Sequence, residues 1–250
     1  MKKLLKGNFI SSTNIGRIRT TNEDSAIAVI NNSGDVLLCV CDGMGGYKKG
    51  DYASQILCET LKSEFLKKKG FITKFSAIKW ASDIIDNVNK KIYKKAQAND
   101  YENMGTTIVL CMIVKNSLIV IWAGDSRCYF YNYEKLEQVS EDQTYSNYLY
   151  NINEITKEEL EVHEDKHILT NAIGAFPNCN LCIKTFSYED QGILLCSDGL
   201  YNNLSGKDIL SCLSSNENLN LKVNTLFAFA NSNGGSDNMA VAIWEPIKWY

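Results

Sequence analysis

The sequence predicts an α+β fold in which helices pack outside β-sheets. Three observations carry this: short β-rich runs recur along the chain, two pairs of amphipathic helical patterns interrupt them, and several runs are apolar at every position, as in sheets covered on both faces. The first strand signals are Ala26 to Ile30 and Val36 to Val40, joined by the hairpin-like Asn31-Asn32-Ser33-Gly34-Asp35. Ala53, Leu57, Leu61 and Phe65 then recur at helical spacing and predict a helix over 52–68. Ile78, Ala81, Ile85, Val88 and Ile92 predict a second over 75–96. Thr106 to Val114, Leu118 to Ala123 and Cys128 to Tyr133 read as central strands. Residues 142–167 are polar, weakly helical and rich in acidic side chains, the pattern of a surface excursion. Strand signals return at Ile168 to Ile173, Leu181 to Phe186, Ile193 to Cys196 and Met239 to Trp244, with helical stretches at 206–214 and 218–231.

The composition excludes several classes. Hydrophobic residues make up 45% of the 250 and charged residues 22%, which rules out wholesale disorder. The longest apolar runs have six or seven residues, whereas a bilayer crossing needs about 20. The opening Met1-Lys2-Lys3-Leu4-Leu5-Lys6-Gly7 has the charge of a secretory leader but only two leucines where about 7 to 15 apolar residues are needed, so a cytoplasmic protein is expected. Its nine cysteines are an odd number, and Cys39, Cys41, Cys111 and Cys196 fall inside apolar runs, as buried reduced thiols do. Cys179-x-x-Cys182 lacks the second pair of a structural zinc site. The net charge of −3 divides into +7 over residues 62–95 and −10 elsewhere. That Lys-rich stretch has no Arg and reads as a solvated face, so no nucleic-acid partner is expected. With two prolines and no linker composition, one domain over 1–250 is expected.

The chemistry concentrates where apolar strands end. Asp42 in Val40-Cys41-Asp42-Gly43-Met44-Gly45-Gly46, Asp125 in Gly124-Asp125-Ser126-Arg127, Asp198 in Leu195-Cys196-Ser197-Asp198-Gly199, and Asp237 in Ser236-Asp237-Asn238 each follow or open a strand. Any one of them is read equally well as a turn residue. Four carboxylates gathered together would repel one another unless cations intervened, and oxygen ligands without histidine favour Mg²⁺ or Mn²⁺. Arginine is scarce: Arg17, Arg19 and Arg127 are the three. Arg19 precedes Glu23 and Asp24 on one short segment, which brings a fork suited to phosphate beside two more carboxylates.

Taken in order, Arg19 to Asp24, Asp42-Gly43-Met44-Gly45-Gly46, Gly105-Thr106-Thr107, Gly124-Asp125-Ser126-Arg127, Leu169 to Gly174, Ser197-Asp198-Gly199 and Asp237-Asn238 resemble the metal-dependent Ser/Thr protein phosphatases of type 2C, in their bacterial-type single-domain form. The resemblance implies a four-layer α-β-β-α sandwich, two antiparallel sheets with a helix pair on each outer face. It implies that Asp42 bridges two Mn²⁺ or Mg²⁺ ions, that the Gly43 carbonyl binds one, and that Asp198 and Asp237 bind the other. Glu23 and Asp24 match residues acting partly through metal-bound water, and Asp125 with Asp198 matches the site of a third, weaker ion. Arg19 matches the phosphate-holding arginine, and residues 142–168 match a flap beside the site. The implied substrates are proteins phosphorylated by a Ser/Thr kinase, hydrolysed by a metal-bridging hydroxide without a phosphoenzyme, and the chain is expected to act as a monomer away from membranes. The alternative reading is a catalytically silent phosphatase-like module that binds a phosphoprotein.

Three departures stand out. Met44 occupies a position where many eukaryotic relatives carry a histidine proposed to protonate the leaving alcohol; a thioether has no proton to give, so metal-bound water is the expected donor. Gln143 stands where the family usually has His, and Asn171 where Arg is common, which puts docking beside the flap in question. His163 and His167 are spaced to clasp a metal if helical, although a flap-surface role is the expected one.

Overall fold

The computed structural model describes residues 6–45, 49–99, 101 and 104–247; Gly46 of the glycine-rich motif and the Met1 to Leu5 opening lie outside them. The elements run β1 (Gly7–Asn14), β2 (Asp24–Ile30), β3 (Val36–Met44), α1 (Gly50–Lys67), α2 (Lys74–Ala98), β4 (Gly105–Thr106), β5 (Ile108–Val114), β6 (Ser117–Ala123), β7 (Arg127–Tyr131) and β8 (Leu136–Gln138). They continue with α3 (Tyr145–Asn151), α4 (Lys157–Val162), β9 (Cys182–Ser187), β10 (Gly192–Cys196), α5 (Asp198–Tyr201), α6 (Gly206–Leu213), α7 (Leu219–Ser232) and β11 (Met239–Pro246).

Two antiparallel sheets result. One has the order β1-β11-β10-β7-β8; the other has β2-β3-β5-β6-β9, with the short β4 paired to β3. Alternation along each strand builds three layers of core. On β3, Leu37, Cys39 and Cys41 point outward against Leu57, Leu61 and Phe65 of α1 and Ala81, Ile85 and Ile92 of α2. Val36, Leu38 and Val40 point the other way, where they meet Ile193, Leu195, Ala240, Ala242 and Trp244 of the facing sheet. On that sheet Leu194, Cys196, Val241 and Ile243 turn outward to Ile209, Leu213, Val223, Leu226 and Phe227 under α6 and α7. The expected four-layer α+β sandwich is therefore the observed one.

The helices start where local chemistry dictates. Thr73 and Ser205 close capping boxes at the heads of α2 and α6, and the Asn218 side chain caps α7, so backbone N–H groups that the helix cannot satisfy find oxygen partners.

The nine cysteines are free thiols. Cys39, Cys41 and Cys58 approach one another between β3 and α1, and theirs is the only group of three potential ligand side chains among the described residues whose ligand atoms all lie within 4.8 Å. Burial in an apolar core pushes the Cys39 and Cys41 thiols well above their usual pKa, which favours neutral packing there.

Sequence and structure part at three places. Residues 168–173 form no strand: they make two isolated bridges, Thr106 to Ile173 and Thr144 to Leu169, because the segment crosses the end of the sandwich instead of running along a sheet. β1 and β8 carry no strand signal in the sequence because each is a sheet edge with much of its surface in solvent, so neither needs an apolar face. No helix among the described residues is long and apolar enough to cross a membrane.

Leu38 is fully buried between the sheets. Leu38→Ala is expected to cost about 2–5 kcal/mol in urea unfolding, through lost transfer energy and the cavity left behind.

Candidate active site

The residues singled out in the sequence meet at one end of the sandwich, around a cavity of about 530 Å³. Arg19, Glu23, Asp42, Gly43, Asp125, Asp198 and Asp237 line it, together with Met44, Thr107, His167, Phe176 and Asn238. Asp24 is the exception. It sits opposite Asp42 in the β2–β3 register but is buried beneath the cavity, where its carboxylate accepts a 2.6 Å hydrogen bond from the Ser197 hydroxyl.

Backbone contacts fix each carboxylate. Thr107 clasps Asp42: its hydroxyl accepts from the Asp42 N–H at 3.0 Å, and its own N–H donates to the Asp42 carbonyl at 2.8 Å. The Thr107 and Ser126 hydroxyls lie 2.7 Å apart, which ties the β3 end to the loop that carries Asp125. Asn238 joins three segments: its side-chain oxygen accepts from the Glu23 N–H at 2.9 Å, while its amide donates to the carbonyls of Ile15 and Thr21, both at 2.9 Å. Gly199 permits the closest approach, because a Cβ there would lie 1.9 Å from the Asn238 carbonyl oxygen. Gly43 plays the same part against α1, where a Cβ would lie 2.3 Å from the Gly50 carbonyl oxygen.

Electrostatics at this end are unfavourable for the protein alone. Burial, then the charges of Asp24, Asp198, Asp125 and Asp237, push Asp42 well above the carboxylate range. Burial pushes Asp24 up to about 8, with Asp198 and Asp237 adding to it and the Ser197 hydrogen bond opposing. Asp125 is pushed up to about 7 by burial and by Asp198 and Asp142. Asp198 is raised by burial and Asp237, with Asp42 and His167 pulling it down, and Glu23 is raised by burial and Asp51. The arginine among the described residues of the wall is Arg19, half exposed, whose guanidinium donates to Asp237 at 2.8 Å. Buried carboxylates of this number stay ionised only when positive charge is supplied. The all-oxygen donor set suits hard divalent ions, and the carboxylates ring the cavity instead of closing on one point, which leaves room for more than one ion.

Neither departure beside the flap reaches the cavity wall. Gln143 accepts from the Gly124 N–H and from the Asn171 amide, both at 2.8 Å, and donates to Cys182 Sγ. Asn171 also donates to the Asn180 carbonyl at 2.7 Å. The two residues replace the usual pair with a neutral amide network that braces the flap base. Arg127, the third arginine, forks onto Asp142 at 2.7–3.1 Å and lies 3.5 Å over the Tyr201 ring, a partly buried clamp at the same base. His163 ends α4 and residues 164–167 are a turn, so the two histidines have no helical clasp; His163 packs against Tyr145, and His167 lines the cavity wall. Thr107, Ser126, Ser197 and Asn238 were not singled out individually in the sequence, although Thr107, Ser126, Ser197 and Asn238 each sit inside a motif that was.

The description "Protein phosphatase 2C" belongs to the family model that matches residues 17–240. The chain belongs to that family. PhpP of Streptococcus pneumoniae serotype 2 (strain D39) is 33% identical over 232 residues, covering 92% of this chain and 94% of that one. The S. agalactiae serine/threonine phosphatase structure superposes with a TM-score of 0.91 at 31% identity, covering 96% of this chain and 99% of its own. Stp1 from Staphylococcus aureus gives 0.88 at 30%, covering 100% and 97%. Membership makes this protein a metal-dependent Ser/Thr protein phosphatase, the enzyme class that the sequence motifs resemble.

Two outcomes follow. A carboxyl whose folded pKa lies above its unfolded value keeps its proton in the folded state after the unfolded chain has lost it, so the stability it favours is full below about pH 4 and is lost as pH rises through its folded value. For Asp24 that window runs from about 4 to about 8. EDTA-treated protein is expected to lose thermal stability across it, and added Mn²⁺ or Mg²⁺ to raise the midpoint more at pH 8 than at pH 5. Gly199→Ala is expected to lose about 1–3 kcal/mol in denaturant unfolding, because its methyl would overlap the Asn238 carbonyl oxygen.

Proposed function

We propose that the chain, acting as one catalytic domain over 1–250 and as a monomer inside the cell, hydrolyses phosphoserine and phosphothreonine in proteins phosphorylated by a Ser/Thr kinase. The observation that carries this reading is the ring of buried, mutually repelling carboxylates with one arginine at its rim. Asp42, the Gly43 carbonyl, Asp198 and Asp237 would hold two Mn²⁺ or Mg²⁺ ions, with Glu23 and Asp24 supporting them and Asp125 with Asp198 taking a third. When bound, such ions would supply an activated water as the nucleophile toward phosphorus.

The protein's own residues do the rest. Arg19 has five N–H donors and gives one to Asp237, so others remain to hold phosphoryl oxygens as charge redistributes in the transition state. Thr107 and Asn238 keep the Asp42 and Glu23 segments in place while the substrate enters and product leaves. Ser197 gives Asp24 a fixed hydrogen-bond partner below the cavity floor. Nine free thiols support an intracellular setting. None of the cysteines has an arginine six positions on, so no thiol chemistry competes.

The test is direct. With Mn²⁺ or Mg²⁺ the protein is expected to release phosphate from p-nitrophenyl phosphate and from a phosphoserine peptide, and with EDTA to release none; turnover that ignores EDTA, or none under any condition, contradicts the reading. Asp42→Asn is expected to lower kcat at least about 10²-fold with the fold intact by circular dichroism. Arg19→Ala should lower kcat/KM about 10- to 100-fold, the loss of a charged hydrogen-bond donor worth ~1.5–3 kcal/mol.

A further inference from the structure

The turn between α1 and α2 carries a surface that the cavity chemistry does not use. Over residues 62–79 the chain has six lysines against the single acid Glu64, a net +5. Lys62, Lys67, Lys68, Lys69 and Lys79 are exposed, and Lys115 of the β5–β6 turn joins them, its Nζ donating to the Ile72 carbonyl. Amid this charge Ile72 is 80% exposed and Phe75 70%, with Leu66 at 42%. No other Phe, Tyr or Trp among the described residues is exposed as far as Phe75. Single apolar side chains on a surface are ordinary, but these two lie three residues apart among lysines.

The turn is built, not loose. Phe71 is pinned inward, packed on Phe65 and Trp80, and its N–H donates to the buried Asp35 carboxylate at 3.0 Å. Thr73 and Ser76 close the capping box of α2. Gly70, at φ +95°, approaches Ser33 so closely that a Cβ would lie 2.8 Å from the serine side chain. A backbone fixed on these sides holds Ile72 and Phe75 in water, which is unfavourable for the protein alone.

An occupant that suits this surface is negative outside and apolar within. Anionic lipid headgroups would meet the ammonium groups while Ile72 and Phe75 reach the acyl boundary, and lysine stems can lie along the apolar side with their charge at the headgroups. The acids near the turn do not oppose such a contact: Asp35 is buried, Glu64 is paired with Lys67 at 2.7 Å, and Asp83 with Lys79 at 3.0 Å. A nucleic acid could stack on Phe75 but would leave Ile72 in water, and residues 62–79 hold no arginine to fork onto phosphate.

We propose that the α1–α2 turn docks on an anionic lipid membrane, with Ile72 and Phe75 entering the headgroup layer. A peripheral contact of this kind needs no spanning helix. It replaces the sequence-based expectation of a protein acting away from membranes. α1 starts at Gly50, packed on cavity-lining Gly43, and runs 18 residues, about 27 Å, to the turn, so a docked molecule keeps its cavity away from the lipid and open to solvent.

Vesicle sedimentation tests this on the full chain loaded with Mn²⁺ and freed of excess ion. The protein is expected to pellet with phosphatidylcholine vesicles that contain phosphatidylglycerol, to stay in solution with phosphatidylcholine alone, and to be released by salt. Lys67→Gln, Lys68→Gln and Lys69→Gln together are expected to weaken binding about 10²-fold, about fivefold for each charge. Ile72→Ser with Phe75→Ser, at unchanged net charge, is expected to weaken it at least about 10-fold. Both variants should keep the wild-type thermal midpoint and turnover of p-nitrophenyl phosphate. Lys90→Gln, Lys91→Gln and Lys94→Gln together make the same charge change towards the other end of α2 and are expected to leave binding nearly as it was. Wild-type protein that stays in solution with phosphatidylglycerol vesicles, whether or not duplex DNA holds it, overturns the proposal. So does an Ile72 and Phe75 double variant that pellets like wild type, or a Lys90, Lys91 and Lys94 variant weakened as much as the variant at the turn.

Discussion

Repulsion among buried carboxylates organises this end of the molecule. Asp24, Asp42, Asp125 and Asp198 are all held above the ordinary carboxylate range by burial and by one another, and one arginine cannot neutralise them. A fold would not keep such a cluster for its own stability, since an apolar end to the sandwich would cost less. The cluster makes sense as a cradle whose charge is balanced by bound cations, and the sheets, glycines and hydroxyl clasps around it hold the acids together against their mutual repulsion.

The sandwich serves that purpose through its ends. Because both sheets are covered by helices, their middles are apolar on each face, and only where strands stop can carboxylates reach water and substrate. Asp42 lies near the end of β3, Asp198 opens α5 just after β10, and Asp237 lies just before β11. Three strands from two sheets end side by side, so residues far apart in the chain share one cavity. The close backbone contact at Gly199 lets the last two of these segments come together.

Much of this was legible in the sequence because strong physical demands leave strong patterns. The doubly covered strands at 108–114 and 118–123 had to be apolar throughout, and α1 and α2 had to carry a regular apolar stripe. Aspartates beside glycine at strand ends announced the cavity before any coordinates did. What escaped detection lacked such a demand. β1 is an edge with half its surface in solvent, and its Ser11, Ser12 and Thr13 look like loop. Ile168 to Ile173 has the composition of a strand but makes only isolated backbone bridges to Thr144 and Thr106, with the Asn171 side chain bonded to Gln143 and to the Asn180 carbonyl. Gln143 and Asn171 themselves read as departures from a pattern; only the contact between them shows that one amide answers the other. His163 and His167 could clasp a metal only if their stretch were helical, and residues 164–167 are a turn.

The flap base is the second organising feature. Arg127 to Asp142, Gln143 to Asn171, and the ladder between 143–145 and 168–170 brace the base of this segment beside the acidic cavity, while Tyr148, Ile152 and Val162 of α3 and α4 and the link between them are exposed. Beneath both lies the claim that the acidic cradle holds paired divalent cations. Anomalous scattering from crystals grown in Mn²⁺ tests it most directly: the account predicts at least two manganese peaks in the cavity, both within bonding distance of Asp42 and one of them also bound by Asp198 and Asp237, and crystals with no manganese there, or with a single ion that does not touch Asp42, would contradict it.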